Sequence, residues 1–145
     1  MEYHSNSPKE TENIAKAFAK TLSRGDVVTL DGELGAGKTA FVQGLAKGIG
    51  VSDYVNSPTF TIVNCYEGNM PLYHFDVYRI EDIDEMFEIG YDEYIDGDGI
   101  SVIEWSGKIA QILPLPRYEI TIKKDHARHD DFRIININYL RNDTK

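Results

Sequence analysis

Cysteine, tryptophan and long apolar runs are scarce in this sequence, which holds one cysteine and one tryptophan. The single cysteine, Cys65, cannot form a disulfide within the chain, so a disulfide-stapled secreted scaffold is excluded. No segment approaches the ~20 apolar residues of a membrane-spanning helix, and the N-terminus lacks the basic and apolar regions of a signal peptide. These absences favour a reduced, cytoplasmic protein without a membrane anchor.

Basic residues are the second deficit: 15 lysines and arginines stand against 24 aspartates and glutamates, a net charge of −9. Nucleic-acid affinity depends mainly on basic side chains that displace counterions from phosphate, so direct binding to a polyanion is disfavoured. We expect any link to RNA to run through a partner. At 145 residues of ordinary globular composition, we predict one domain over residues 1–145, with a polar tail from about 141.

The N-terminal third predicts a helix followed by a buried strand. Ser7, Pro8 and Glu10 have the spacing of a capping box with proline at the first helical position. Apolar residues follow at four-residue spacing until Gly25, which predicts about four turns of helix. The apolar, β-branched run within residues 26–31 is typical of a buried strand.

The rest of the chain predicts a second helix and several further strands. Apolar residues between Lys38 and Gly50 fall on one helical face, so a helix is expected there. Residues 81–88 predict a short surface helix or a pair of turns. Strands are predicted at 59–66, 72–78 and 100–105, and a C-terminal hairpin joins strands around 118–122 and 132–134 through a turn at 125–130.

Residues 32–39 match the G-x-x-x-x-G-K-[ST] pattern of a P-loop, between a predicted strand and a predicted helix. Three glycines let the backbone curl so that N–H groups face a phosphate, and the helix N-terminus adds its positive dipole end. Lys38 can reach the β- and γ-phosphates, and the Thr39 hydroxyl can ligate Mg²⁺. A glycine-rich turn that binds nothing is the alternative. We predict that ATP with Mg²⁺ is bound by Gly35, Ala36, Gly37, Lys38 and Thr39.

The order of strand, glycine loop and helix defines the predicted fold class. It is α/β, with a single P-loop NTPase-like domain in which a mixed sheet with antiparallel hairpins is flanked by helices.

Carboxylates near the ends of two predicted strands are the candidate metal and catalytic groups. Glu104 directly follows an apolar run, and a carboxylate there is costly unless it is paired or binds a metal, so we predict that it ligates Mg²⁺. Asp76 shares one strand face with His74 and Tyr78, and could accept a proton from the attacking water or bind the metal through water. Lys38 and Asp76 are the predicted catalytic residues. Solvated strand-end carboxylates are the alternative, and the direct metal ligand is left open between the two.

Three further features each allow two interpretations. Arg79 could stabilise phosphate charge or pair with the acidic segment that follows it. The hydroxyl-rich segment 56–61 could sense the γ-phosphate, or serve only as a loop that leads into a strand. Trp105 could wall the nucleotide pocket, or be a core or partner-contact residue.

Four strings together resemble the bacterial TsaE family, formerly YjeE, in order and spacing across most of the chain: 32–39, 57–61, 74–79 and 102–105. The resemblance implies an ATPase, slow alone, that works with TsaB and TsaD. Their product is the threonylcarbamoyl modification of the adenosine beside the anticodon in tRNAs reading codons that begin with A. ATP hydrolysis would reset the TsaB–TsaD pair, and tRNA would be met only through these partners.

The resemblance also implies roles and departures at single positions. Thr11 and Arg128 fall where the family contacts the base end of the nucleotide. Ser106 stands where many relatives have proline, and we expect it to loosen the loop after Trp105. Ala40 lacks a hydroxyl that could touch the α-phosphate.

Two other functions remain open from the sequence. The chain could be a nucleotide-dependent assembly module that needs ATP occupancy but not hydrolysis. It could also be a small-molecule kinase, although an arginine-bearing lid over an acceptor site is not evident.

Overall fold

The computed structural model describes residues 1–33, 35–58 and 61–142, and the secondary structure lies within them. The strands are β1 (Glu2–Ser5), β2 (Val27–Gly32), β3 (Val63–Tyr66), β4 (Leu72–Asp76), β5 (Ile100–Glu104), β6 (Arg117–Lys124) and β7 (Arg133–Leu140). The helices are α1 (Pro8–Ala19), α2 (Lys38–Gly48), α3 (Asp84–Glu88) and α4 (Tyr91–Ile95), with a 3₁₀ helix at Ser106–Ile112. None of the helices in these ranges is long and apolar enough to cross a membrane.

All seven strands form one mixed sheet in the order β1-β7-β6-β2-β5-β4-β3. The centre is parallel, with β2 between β5 and β6 and with β4 beside β5. The outer pairs β1–β7, β6–β7 and β3–β4 are antiparallel. The predicted α/β class with antiparallel hairpins on a mixed sheet is therefore confirmed. Because parallel strands end at the same sheet edge, the ends of β2, β4 and β5 lie together.

Alternate strand residues feed two cores on opposite faces of the sheet, as a period of two requires. The first core lies under α1 and α2 and includes Val28, Leu30, Phe41, Leu45, Leu72, Val102 and Ile120. The second lies under α3, α4 and the 3₁₀ helix and includes Phe75, Val77, Met86, Tyr91, Ile103 and Ile109. Because His74 and Asp76 are predicted on one strand face, Phe75 and Val77 are expected on the other, and both pack in the second core.

The first helix starts as predicted but is shorter. Ser7 Oγ accepts the Glu10 N–H at 3.1 Å, which caps the N-terminus. The predicted extension to Gly25 is wrong, because the helix ends at Ala19. The Thr21 hydroxyl donates to the Phe18 carbonyl at 2.7 Å, and such local side-chain bonds compete with helix continuation.

Several strand ends differ from the predictions where the backbone leaves the extended region. Trp105 has a φ of +62°, which ends β5 at Glu104. Ile62 has a φ of +66°, so β3 starts at Val63 and not at the predicted residue 59. The fourth strand ends at Asp76, two residues early. Leu34, Thr59, Phe60 and most of the predicted tail lie outside the described residues.

Candidate functional site

The glycine loop joins the end of β2 to the start of α2. Gly35 and Gly37 have φ values of +79° and +102°, in the left-handed region that favours glycine. Gly32 needs its small size, because a Cβ there would lie 2.6 Å from the carbonyl oxygen of Ile122 in β6. The loop therefore has the tight backbone that the pattern predicts, and it opens directly onto the first turn of α2 at Lys38.

Lys38 is buried at this loop, with only 7 % of its surface exposed. Its ammonium donates to the Gly32 carbonyl at 2.8 Å and lies 3.9 Å from the ring centroid of Trp105. It also lies 3.9 Å from Oε1 of Glu104. A carbonyl, an aromatic face and a carboxylate thus stabilise the buried Lys38 ammonium, at a position where it could contact a phosphate.

Glu104 ends β5 and is buried beside His74, which lies on β4. Its Oε2 lies 2.5 Å from His74 Nε2, while the exposed fractions of the two residues are 3 % and 1 %. Among the described residues no group bonds Nδ1 of His74. An ionised Glu104 can only accept, so it requires the proton on Nε2. The imidazole therefore fixes one carboxylate oxygen and leaves Oε1 facing Lys38.

Asp76 ends β4 and is the register partner of Glu104 in the adjacent strand. Its half-buried side chain accepts the Tyr78 N–H at Oδ1, at 3.1 Å. The pKa of Asp76 is raised above its ordinary value, chiefly because burial desolvates the carboxylate, and the charge of Glu104 adds to this. The Tyr78 N–H and the charges of His74 and Lys38 act in the opposite direction. The structure thus brings both predicted carboxylates together beside the loop.

Thr39 lies exposed in the first turn of α2, and its Oγ1 lies 3.4 Å from Oγ of Ser57. In residues 1–33, 35–58 and 61–142 no group of three His, Cys, Asp or Glu side chains could hold a metal ion. A cation here would need ligands from elsewhere in addition to a hydroxyl and a carboxylate. This donor set fits Mg²⁺, which is usually bound through one or two carboxylates, waters and substrate phosphates.

The segment 56–61 contributes Ser57 beside Thr39, while Thr59 and Phe60 lie outside the described residues. Thr61 Oγ1 donates to Asn64 Oδ1 at 3.1 Å, and so takes part in the start of β3. The γ-phosphate role of this segment stays a prediction. Arg79 lies exposed beyond the end of β4.

Thr11 lies in α1 away from solvent, and its hydroxyl is bonded internally. Its Oγ1 lies 2.7 Å from Oγ of Ser5, which itself donates to the Ser7 carbonyl at 2.8 Å. This network joins β1 to the start of α1. A contact between the Thr11 hydroxyl and a nucleotide base stays a prediction, and it would compete with the bond to Ser5.

Arg128 lies exposed in the β6–β7 turn. Its guanidinium packs 4.6 Å from the ring centroid of Phe132 and lies 3.8 Å from Oδ2 of Asp125. The neighbouring His129 Nε2 lies 3.2 Å from Oδ1 of Asn6, just before α1. The turn that carries Arg128 therefore contacts the segment before α1, and a contact of Arg128 with a nucleotide base stays a prediction.

The expectation that Ser106 loosens the loop after Trp105 is wrong. Ser106 is buried, and its N–H and hydroxyl donate to the two carboxylate oxygens of Asp31 at 2.9 and 2.5 Å. Proline has no N–H and could make neither bond. Trp105 is held in turn, with its ring against the Lys38 ammonium and 4.9 Å from the ring of Tyr78. The indole thus contacts Lys38 and also packs against the second core, and its role as a wall of the nucleotide pocket stays a prediction.

Arg133 is a contact residue that the sequence reasoning missed. It starts β7, and its guanidinium donates to the carbonyls of Gly35 and Ala36 in the loop. Nearly a hundred residues separate the partners in the chain, so no local pattern could reveal the contact. Only the sheet order, which puts the β6–β7 hairpin beside β2, brings them together.

Comparison with known proteins gives consistent matches over most of the chain. The family model described as "Threonylcarbamoyl adenosine biosynthesis protein TsaE" matches residues 5–132. The tRNA threonylcarbamoyladenosine biosynthesis protein TsaE of Bacillus subtilis is 45 % identical over 142 residues, covering 96 % of this chain and 89 % of the relative. The protein of the same name from Treponema pallidum is 43 % identical over 118 residues, covering 81 % and 86 %.

A solved structure has the same fold. The crystal structure of Bacillus subtilis YdiB matches with a TM-score of 0.82 at 40 % identity, covering 98 % of this chain and 86 % of that one. The chain therefore belongs to the TsaE family.

Proposed function

We propose that this chain is an ATPase that binds ATP with Mg²⁺ and acts with TsaB and TsaD in threonylcarbamoyl modification of tRNA. The modified base is the adenosine beside the anticodon in tRNAs that read codons beginning with A. Membership of a family named for this biosynthesis supports the pathway. The observation that carries the ATPase is the buried Lys38, which lies at the loop within reach of Glu104. The net charge of −9 agrees with tRNA being met through partners.

The loop and α2 would bind the phosphates. The N-terminus of a helix offers unpaired N–H groups and the positive end of its dipole to an anion. Lys38 now donates to the Gly32 carbonyl, and it would exchange that acceptor for a phosphate oxygen. Because Trp105 and Glu104 line its other sides, the ammonium has little room to move elsewhere.

Thr39 and Glu104 would hold Mg²⁺. The bound ion would neutralise and orient the phosphates during transfer. His74 fixes the Glu104 carboxylate through one oxygen, the orienting role that outer-shell partners have in metal sites. The ligand geometry would therefore exist before any ion arrives.

Asp76 would orient the attacking water and take its proton. The Tyr78 N–H holds Oδ1, so Oδ2 would be the oxygen that takes the proton. The raised pKa of this carboxyl brings it closer to working pH, and such a carboxylate is a stronger base than an ordinary aspartate. Arg79 stays a candidate for stabilising the phosphate charge.

The experiment that tests this proposal is tRNA threonylcarbamoylation by purified TsaB and TsaD, with the threonylcarbamoyl donor supplied. We expect repeated turnovers only when this chain and hydrolysable ATP are both present. A non-hydrolysable ATP analogue should support about one turnover. Full multiple turnover with the analogue would overturn the role of hydrolysis and favour an assembly module.

A further inference from the structure

We propose that Arg133 is a positioning residue, which holds the carbonyl groups of Gly35 and Ala36 so that the loop stays shaped for phosphate. The inference rests on the proposed function, because it assumes that the loop binds ATP. The G-x-x-x-x-G-K-[ST] pattern does not include this residue. It lies at the start of β7, in the hairpin beside β2.

The guanidinium donates hydrogen bonds to two successive carbonyls of the loop. Its Nε donates to the Ala36 oxygen at 2.8 Å and its Nη2 to the Gly35 oxygen at 3.2 Å. In a trans peptide the carbonyl and the following N–H point in opposite directions. The Ala36 carbonyl held by Arg133 therefore directs the Gly37 N–H to the other side of the loop. The other side of the loop is where a bound phosphate would need N–H donors.

The same guanidinium is anchored in the hairpin from which it comes. Its Nη1 donates to the carbonyls of Phe132, at 2.9 Å, and Asp130. Lys124, the register partner of Arg133, places its ammonium 3.3 Å from where a Cβ on Gly35 would lie. The loop is thus flanked by a register pair of cations, and one of them bonds it directly.

The charge of Arg133 has no carboxylate partner among the described residues, since its four acceptors are all carbonyls. The guanidinium therefore adds positive potential where phosphates would bind. The planar guanidinium donates to two loop carbonyls at once, and the compact ammonium of lysine cannot reproduce that geometry. Charge and positioning can consequently be separated by substitution.

The test compares Arg133→Lys and Arg133→Ala with the wild-type chain. Arg117→Ala is the control, since Arg117 is an arginine at the opposite end of the same hairpin, where it bonds the Glu119 carboxylate and the Pro114 carbonyl. ATP binding is followed by the fluorescence of Trp105, the only tryptophan, which contacts Lys38. Hydrogen exchange of the loop amides is measured in the ligand-free protein. Thermal unfolding of each variant is recorded as a check on folding.

We expect Arg133→Lys to bind ATP about tenfold more weakly than the wild type, the size of one lost charge-assisted hydrogen bond, and Arg133→Ala to bind it more weakly still, because alanine also removes the charge. Their loop amides should exchange faster than in the wild type, while Arg117→Ala matches the wild type in both measurements. Wild-type affinity and exchange in Arg133→Lys would overturn the positioning role and leave only charge. If Arg133→Ala does not fold, the lysine variant decides the question.

Failure of the proposed function gives a different pattern. If the wild-type chain does not bind ATP, the proposed function is contradicted. Hydrogen exchange of the loop amides in the ligand-free variants still tests whether Arg133 positions the loop. Unchanged exchange in both variants would overturn the inference, whether or not ATP binds.

Discussion

The carboxylate of Glu104 lies 2.5 Å from the imidazole of His74, and both side chains are buried at the edge where β4 and β5 end. The second oxygen of Glu104 faces the Lys38 ammonium at 3.9 Å. A buried carboxylate is costly unless it is paired and hydrogen-bonded. The two contacts meet that requirement and also fix the orientation of the carboxylate.

Substitution of His74 by Gln should weaken the response to Mg²⁺. Removing an outer-shell partner typically costs about 10–100-fold in metal affinity, so the Mg²⁺ midpoint for ATP turnover should rise by that order. His4→Gln is the control, because His4 pairs with Glu2 at 2.7 Å on the exposed surface. An unchanged Mg²⁺ midpoint in His74→Gln would contradict the orienting role.

Substitution of Lys38 by Ala should remove the central cation of the loop. Loss of one preorganised electrostatic group commonly costs about 10²–10³-fold in turnover, and ATP binding measured by calorimetry should weaken sharply as well. Lys47→Ala is the control, since Lys47 lies in the last turn of the same helix and pairs with Glu12. Wild-type turnover in Lys38→Ala would refute the phosphate site.

Substitution of Asp76 by Asn should stabilise the ligand-free protein and slow turnover, while ATP binding is less affected. The raised pKa means that the folded state binds the proton more tightly than the unfolded state. This contribution is present at low pH and is lost as pH rises through the folded pKa. At neutral pH the ionised Asp76 is therefore a net cost, and asparagine keeps an oxygen for the Tyr78 N–H.

Thermal unfolding across pH measures the effect of the Asp76 substitution. The melting temperature of the wild type should fall below that of Asp76→Asn as pH rises above 3.8, the ordinary pKa of aspartate. The difference in melting temperature should become constant above the raised pKa of Asp76. Asp82→Asn is a matched control, because Asp82 is exposed and accepts the N–H two residues ahead in the same way, at 3.0 Å. Equal melting temperatures for Asp76→Asn and the wild type at pH 7 would argue against a desolvated carboxylate.

Substitution of Gly44 by Ala should destabilise the packing of α1 on α2. A Cβ at Gly44 would run into the backbone of Glu12, which cannot move aside as a side chain can. Overpacking costs about 1–3 kcal/mol, more than the about 1 kcal/mol that alanine gains in helix propensity. We expect a lower melting temperature. Gly107→Ala, where a Cβ meets nothing within 4 Å, should cause no such fall.

Local signals predicted much of the fold. The Ser7 cap, the glycine loop and the apolar run before Glu104 are short patterns whose physical causes lie within a few residues, and the structure contains all three elements. Asp76 and Glu104 are each predicted near a strand end, and the parallel pairing of β4 with β5 in the structure makes them neighbours.

Features that depend on distant partners could not be predicted. The first strand, β1, is short and polar and exists because it pairs with β7 at the other end of the chain. The bonds from Ser106 to Asp31 and from Arg133 to the loop likewise join residues that are 75 or more positions apart. Trp105 and Ile62, which lie beside the site, have positive φ values. Strained backbone of this kind is often retained at functional sites, and residue propensities do not predict it.

The most direct test of the proposed ATPase is steady-state ATP hydrolysis by the purified chain with Mg²⁺, alone and with purified TsaB and TsaD. We predict slow hydrolysis by the chain alone and clear stimulation when both partners are present. ATP hydrolysis that stays at the same rate with and without the two partners would contradict the proposal.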